Sequence, residues 1–223
     1  MGHRVLVAAA LVASLAATRG AEAGGRVVGK VAVTDANGKA ETADVVVYVV
    51  GFTEAPPAKS AGATIAQKGR KFVPDLVAIT VGESVSFPNG DPFLHNVFSQ
   101  SPARKFDLGS FKKGETKDKQ FPNPGVIDVY CNIHPEMAAT ILVLPNNRHT
   151  RAAADGSFAI DGVPPGRWMV FAYSRRAVKP ASAPVTVVDA QDAQVNLSIV
   201  RGAEPPHVNK YGEKYKDPTT TYR

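Results

Sequence analysis

The chain is expected to fold as an all-β protein made of two small sandwiches. Short runs rich in Val, Ile, Phe, Tyr and Thr recur along its length, and turns rich in Gly, Pro and Asn separate them. No long stretch repeats its apolar residues every 3.6 positions, as an amphipathic helix would. The length of 223 residues suits one large domain or two ordinary ones.

At the N-terminus, Arg4 precedes the apolar run Val5 to Ala17, and Ala21-Glu22-Ala23 has the form of an A-x-A cleavage site. Residues 1–23 are therefore expected to be a secretory signal peptide, its apolar run too short to span a bilayer. Cleavage near Ala23 would leave the mature chain in the periplasm or outside the cell, and no later segment is apolar enough to span a membrane. Arg26 to Gly51 then reads as a strand, a turn at Asp35-Ala36-Asn37-Gly38, and a second strand over Val45 to Val50. Thr53 to Ala63, with Pro56-Pro57, looks like a junction.

Beyond it, Val77, Ile79 and Val81 alternate with Ala78 and Thr80, and Gly82-Glu83 turns the chain into Val85-Ser86-Phe87. Ser101 to Gly109 alone suits a short helical turn. The remaining strands are expected over Val126 to Cys131, Thr140 to Leu144, Ser157 to Ile160, Trp168 to Tyr173, Val185 to Val188 and Val195 to Val200. Residues 202–223 form a polar tail containing Tyr211, Tyr215 and Tyr222, either free in solution or a strap over a neighbouring surface.

The formal charge of +6 falls to +5 without residues 1–23, which hold Arg4, Arg19 and Glu22. The densest charged stretch, Arg104 to Lys119, carries six basic and three acidic residues and reads as a solvated face. With no nucleic-acid motif present, no nucleic-acid partner is expected.

Cys131 is the only cysteine, so no disulfide can form within the chain. A buried, inert thiol is the plain explanation. Its neighbours point elsewhere: Cys131-Asn132-Ile133-His134-Pro135-Glu136-Met137 places a thiol, an imidazole and a thioether in one short run. His95, in Leu94-His95-Asn96-Val97, can add a second imidazole. Two His, one Cys and a weak axial Met suit a mononuclear electron-transfer copper site. Strand phase puts Cys131 on the interior face with Ile127 and Val129, and His95 in phase with Val97. Burying such polar groups without a partner costs roughly 2–7 kcal/mol, and one metal ion would satisfy all of them. His149 and His207 lack ligand spacing and are expected at the surface.

The pattern Cys131-x-x-His134-Pro135-x-Met137, with Phe72-Val73-Pro74, Phe87-Pro88-Asn89-Gly90-Asp91 and His95-Asn96, resembles the cupredoxins, or type 1 blue copper proteins, of amicyanin and plastocyanin type. The resemblance runs from about Gly69 to Leu144. It implies a Greek-key sandwich over residues 64–145 that binds one copper ion, cycling between Cu+ and Cu2+. His95, Cys131 and His134 would be the equatorial ligands and Met137 the long axial one. Asn96 would tie the two ligand loops together, and Phe93, Leu94 and Pro135 would form an apolar electron-exit patch around His134. The implied role is a single-electron carrier between redox proteins, such as cytochrome c or a dehydrogenase, and not an enzyme. The chain has no H-x-H pair of the multicopper oxidase kind. A copper carrier, or an envelope interaction protein in which electron transfer is secondary, is the alternative. Only two residues separate His134 from Met137, fewer than in plastocyanin, so a different reduction potential is expected.

A second resemblance lies on either side. Ala154-Asp155-Gly156-Ser157-Phe158-Ala159-Ile160 and Gly162-Val163-Pro164-Pro165-Gly166-Arg167-Trp168 resemble the carboxypeptidase-regulatory-like or transthyretin-like sandwiches. Residues 24–52 and 146–201 would be the two halves of that module, with the copper domain inserted between them. The alternative is two consecutive domains, with Arg26 to Val50 donating strands to the copper domain. The whole chain further resembles cupredoxin-like proteins labelled methylamine-utilization proteins, which pair these two modules.

Overall fold

The computed structural model describes residues 24–56 and 62–215. The expected signal peptide, its cleavage point at Ala23, residues 57–61 of the junction and Tyr222 lie outside the described residues. Among those residues there are eighteen strands and no helix.

β1 (Gly25–Asp35) and β2 (Val46–Val50) are separated by the expected turn. The Asp35 carboxylate accepts the Asn37 and Lys39 N–H groups at 2.8 and 2.9 Å. Gly38 closes the turn at φ 81°, a conformation a side chain would strain. The two strands then part into different sheets. β1 pairs with β14 (Ser157–Val163), β17 (Asp192–Gln194) and β18 (Leu197–Arg201). β2 lies between β13 (His149–Arg151) and β15 (Gly166–Tyr173), with β16 (Ala181–Val187) at the far edge. Between these sheets Val27, Val47, Val49, Phe158, Ile160, Val170 and Ile199 are buried in one core.

The intervening strands pair among themselves. β3 (Ala63–Thr64), β7 (Ser84–Pro88) and β10 (Thr116–Gln120) form one sheet. β4 (Ala66–Gln67) and β5 (Phe72–Val73) make a two-stranded ribbon. The larger sheet has the order β6 (Leu76–Thr80), β12 (Ala138–Leu144), β11 (Gly125–Tyr130), β8 (His95–Ser99), β9 (Phe106–Phe111). Phe87, Val97, Phe111, Phe121, Ile127, Val129 and Ile141 fill its core with Cys131 and Met137.

The helical turn expected over Ser101 to Gly109 is confined to its first four residues. A single turn, closed by the Arg104 N–H on the Ser101 carbonyl at 3.0 Å, gives way to β9. Pairing with β8 (Ser99 opposite Phe106, His95 opposite Phe111) and burial of Phe111 outweigh the local preference. The basic stretch is strand as well. On β10 side chains alternate between exposed and half-buried, and Lys117 and Lys119 lie with their ammonium groups 4.9 and 5.6 Å from the Phe111 and Phe106 ring centres.

Candidate metal centre

Period-two alternation along β11 sends Ile127, Val129 and Cys131 into the core, all fully buried, while Asp128 and Tyr130 face out and are half-buried. The chain then curls tightly. The Met137 N–H donates to the His134 carbonyl at 3.0 Å, and the Cys131 N–H donates to the Met137 carbonyl at 3.3 Å. Met137 is thereby fully buried in the core cluster that contains Cys131. From the neighbouring β8, His95 enters the same space and is also fully buried.

Three donor atoms converge. The Nδ1 atoms of His95 and His134 are 3.1 Å apart, and the Cys131 Sγ lies 3.9 and 3.8 Å from them. A borderline metal with bonds of about 2.0 Å to nitrogen and about 2.3 Å to sulfur, at trigonal to tetrahedral angles, needs separations of about 3.3–3.5 and 3.5–3.7 Å. The cluster matches that triangle to within a few tenths of an ångström. Among the described residues it is the group of His, Cys, Asp and Glu side chains able to hold a metal ion.

The hydrogen bonding suits ligation. His95 Nε2 lies 2.8 Å from Asp91 Oδ2, which leaves Nδ1 as the ring nitrogen facing His134 and Cys131. Burial raises the Asp91 carboxyl, but hydrogen bonds from the Arg70 and Gly69 N–H groups and from His95 outweigh it and hold the carboxyl down at about 2. Burial, together with the nearby His95, lowers the His134 imidazole, keeping it a neutral donor at neutral pH.

Asn96 bridges the two ligand segments. Its backbone N–H points at the Cys131 sulfur at 3.5 Å, and its side-chain oxygen accepts the Asn132 N–H at 3.3 Å. Its amide nitrogen donates to Asp107 at 2.7 Å. Beside half-buried His134 lie exposed apolar side chains, Phe93 at 36% exposed, Leu94 at 51% and Pro135, with the exposed Arg70 guanidinium 5.3 Å from the Phe93 ring centre. The Phe93 ring lies 5.2 and 5.5 Å from the His95 and His134 rings. Ile133, 44% exposed, belongs to this surface too, and its place between Cys131 and His134 in a polar loop is its sign in the sequence. Asp91 closes the run Phe87-Pro88-Asn89-Gly90-Asp91, but nothing in that run marks it as the partner of His95.

No protein-family model matches the chain. Two plastocyanins, from Ulva arasakii and Ulva pertusa, are each 35% identical to it over 72 residues, covering 28% of this chain and 74% of theirs. The chain belongs to the cupredoxins. Among solved structures, a purple cupredoxin from Nitrosopumilus maritimus is similar at 25% identity and a TM-score of 0.33, covering 36% of this chain and 98% of that one. A methionine-to-alanine mutant of amicyanin in its Cu(I) form is similar at 17% identity and a TM-score of 0.36, covering 44% of this chain and 97% of that one. The donor set of this cupredoxin fits one copper ion, with thiolate, two imidazoles and a thioether in the same cluster.

Two histidines differ from expectation. His149 sits half-buried on β13, opposite Tyr48, where burial lowers its imidazole. His207 is half-buried as well, its ring stacked on Tyr130 with centres 4.0 Å apart and planes 9° apart. Both imidazoles present a flat carbon face, and neighbouring elements cover it.

Proposed function

We propose that the protein is an exported mononuclear type 1 copper protein that passes single electrons between redox partners. The observation that carries this reading is the convergence of His95 Nδ1, His134 Nδ1 and Cys131 Sγ beneath a half-buried His134 flanked by exposed apolar side chains. Copper, when bound, supplies a one-electron couple. His95, Cys131, His134 and Met137 would hold it. Burial of three of these four side chains excludes water, and the Asp91 and Asn96 hydrogen bonds fix ligand positions, so the shell need rearrange little between redox states. Phe93, Leu94, Ile133 and Pro135 would meet a partner such as a cytochrome c or a dehydrogenase through a dry contact centred on His134. No reaction on a substrate is proposed.

The remaining strands would form a carboxypeptidase-regulatory-like sandwich made of residues 24–52 and 146–201, with the copper domain inserted. Pairing of β1 and β2 with β13–β18 supports this arrangement. Residues 1–23 would direct export to the periplasm or beyond.

The test is copper(II) loading of the purified protein. An intense blue absorption and a narrow copper hyperfine splitting are expected, and Cys131→Ser should abolish both. A colourless loaded protein would overturn the reading. Fast electron self-exchange separates an electron carrier from a copper carrier, which would instead donate its metal to an apo-protein without cycling.

A further inference from the structure

Among the described residues the tail beyond β18, up to Tyr215, forms no strand, yet its course is fixed against the ligand loop. The Tyr215 hydroxyl donates to the Cys131 carbonyl at 3.0 Å. The Lys210 N–H donates to Asn132 Oδ1 at 3.0 Å, and the Gln100 side chain donates to the Lys210 carbonyl at 2.6 Å. His207 stacks on Tyr130, and the Tyr215 ring meets His207 edge-on at 5.4 Å. The segment also organises itself. Asn209 Oδ1 accepts the Tyr211 and Glu213 N–H groups at 2.9 and 3.0 Å, and Gly212 turns at φ 83°, so that Lys210 is presented inward.

Lys210 closes a ring of hydrogen bonds. Its Nζ donates to Asp107 Oδ2 at 2.8 Å, and Asp107 Oδ1 accepts from Asn96 Nδ2 at 2.7 Å. Asn96 Oδ1 accepts the Asn132 N–H at 3.3 Å, and Asn132 Oδ1 returns to the Lys210 N–H. The backbone N–H of Asn96 in that ring is the donor aimed at the Cys131 sulfur. Two backbone bonds close the curl of the ligand loop, and the tail grips Cys131 and Asn132 from outside.

We propose that residues 202–215 are a clamp on the metal-ligand loop, with Lys210 and Tyr215 acting as positioning residues that fix Cys131 and Asn96. The clamp thereby sets both the retention of the metal and its reduction potential. The proposal deepens the type 1 copper reading and rests on it. Hydrogen-bond partners of metal ligands commonly govern metal affinity by about 10–100-fold, and the clamp supplies such partners to the loop that carries three of the four ligands.

The test uses full-length Lys210→Met, Tyr215→Phe and the double variant. Lys210→Met keeps the backbone N–H bond to Asn132 and removes the ammonium's contacts to Asp107 and, at 5.3 Å, to the Tyr211 ring. Lys210→Arg is the rescue variant. In metal-free protein the Cys131 thiol is buried, so its reaction with a disulfide reagent reports opening of the loop. The double variant is expected to react about tenfold faster than the native chain. In copper-loaded protein, removal of Cu(I) by a chelator should accelerate by a similar factor and the midpoint potential should shift, with Lys210→Arg restoring both. Unchanged thiol reactivity, chelator kinetics and potential in a double variant that melts like the native chain would overturn the clamp. Termination after Gly202 is the second variant and must show at least the same effects. A native protein that binds copper(II) without turning blue would overturn the electron-carrier reading, whereas thiol exposure would still decide the clamp.

Discussion

At the residue scale, Asp91 illustrates how a single carboxylate can organise a site. It accepts the Gly69 N–H at 2.7 Å, the Arg70 N–H at 3.0 Å and His95 Nε2 at 2.8 Å, all while 6% exposed. Hydrogen bonds to a charged acceptor are the stronger kind, so the carboxylate fixes both the 68–71 turn and the plane of the His95 ring. Asp91→Asn puts an amide nitrogen where one of these donors now points. It is expected to weaken copper binding by about 10–100-fold, read by competition with a chromogenic chelator. Unchanged affinity would mean that packing alone holds the ring. Cys131, His134 and Met137 are legible in sequence because they share one strand-end loop, and His95 because few histidines compete with it. Asp91 is not legible, since its four-residue offset from His95 spans a bend with no period. Lys210 and Tyr215 are hidden for a stronger reason: they reach the loop from about eighty residues away, and only tertiary folding brings them there.

At the element scale, β2 and β12 each serve two cores. On β2, Val47 and Val49 enter one sandwich while Val46 turns the other way. On β12, Ala139, Ile141 and Val143 line the copper-site core, and Leu142 and Leu144 face outward to meet Val46 and Leu76. β2 therefore reads as an apolar run and β12 as one broken only at Thr140, legible as strands but silent about which neighbour covers the second face. β9 and β10 are the opposite case, since charge and turn residues mask them until β8 and β7 supply their partners. Leu142→Ala would open a cavity between the sandwiches. It is expected to destabilise the protein by about 2–5 kcal/mol in urea unfolding. The copper spectrum should not change, because Leu142 lies on the face of β12 away from Met137. An altered spectrum would mean that the site feels the seam between the sandwiches.

At the scale of the whole molecule, the proposed insertion rests on where the chain leaves and re-enters the outer sandwich. The Glu54 N–H donates to the Pro145 carbonyl at 3.0 Å, so the two ends of the intervening segment already touch. Asn146 secures the junction, its amide donating to the Val49 and Phe52 carbonyls, both at 3.0 Å. Such adjacency lets one domain interrupt another without straining either, because the host strands need not move to accommodate the guest. The host also keeps a buried core of its own around Val27, Val47, Phe158, Ile160 and Ile199. A chain in which a Gly-Gly linker replaces residues 55–144, ending after Arg201, is therefore expected to fold. It should show dispersed amide resonances and a cooperative thermal transition. It should also melt below the native chain, because Val46, Tyr48 and Tyr173 lose their cover. Adding Val46→Thr should not lower the transition further, since that side chain faces away from the host core. A random-coil spectrum for both versions would mean that β1 and β2 need the copper domain in order to fold, and the two-module arrangement would give way to a single cooperative unit.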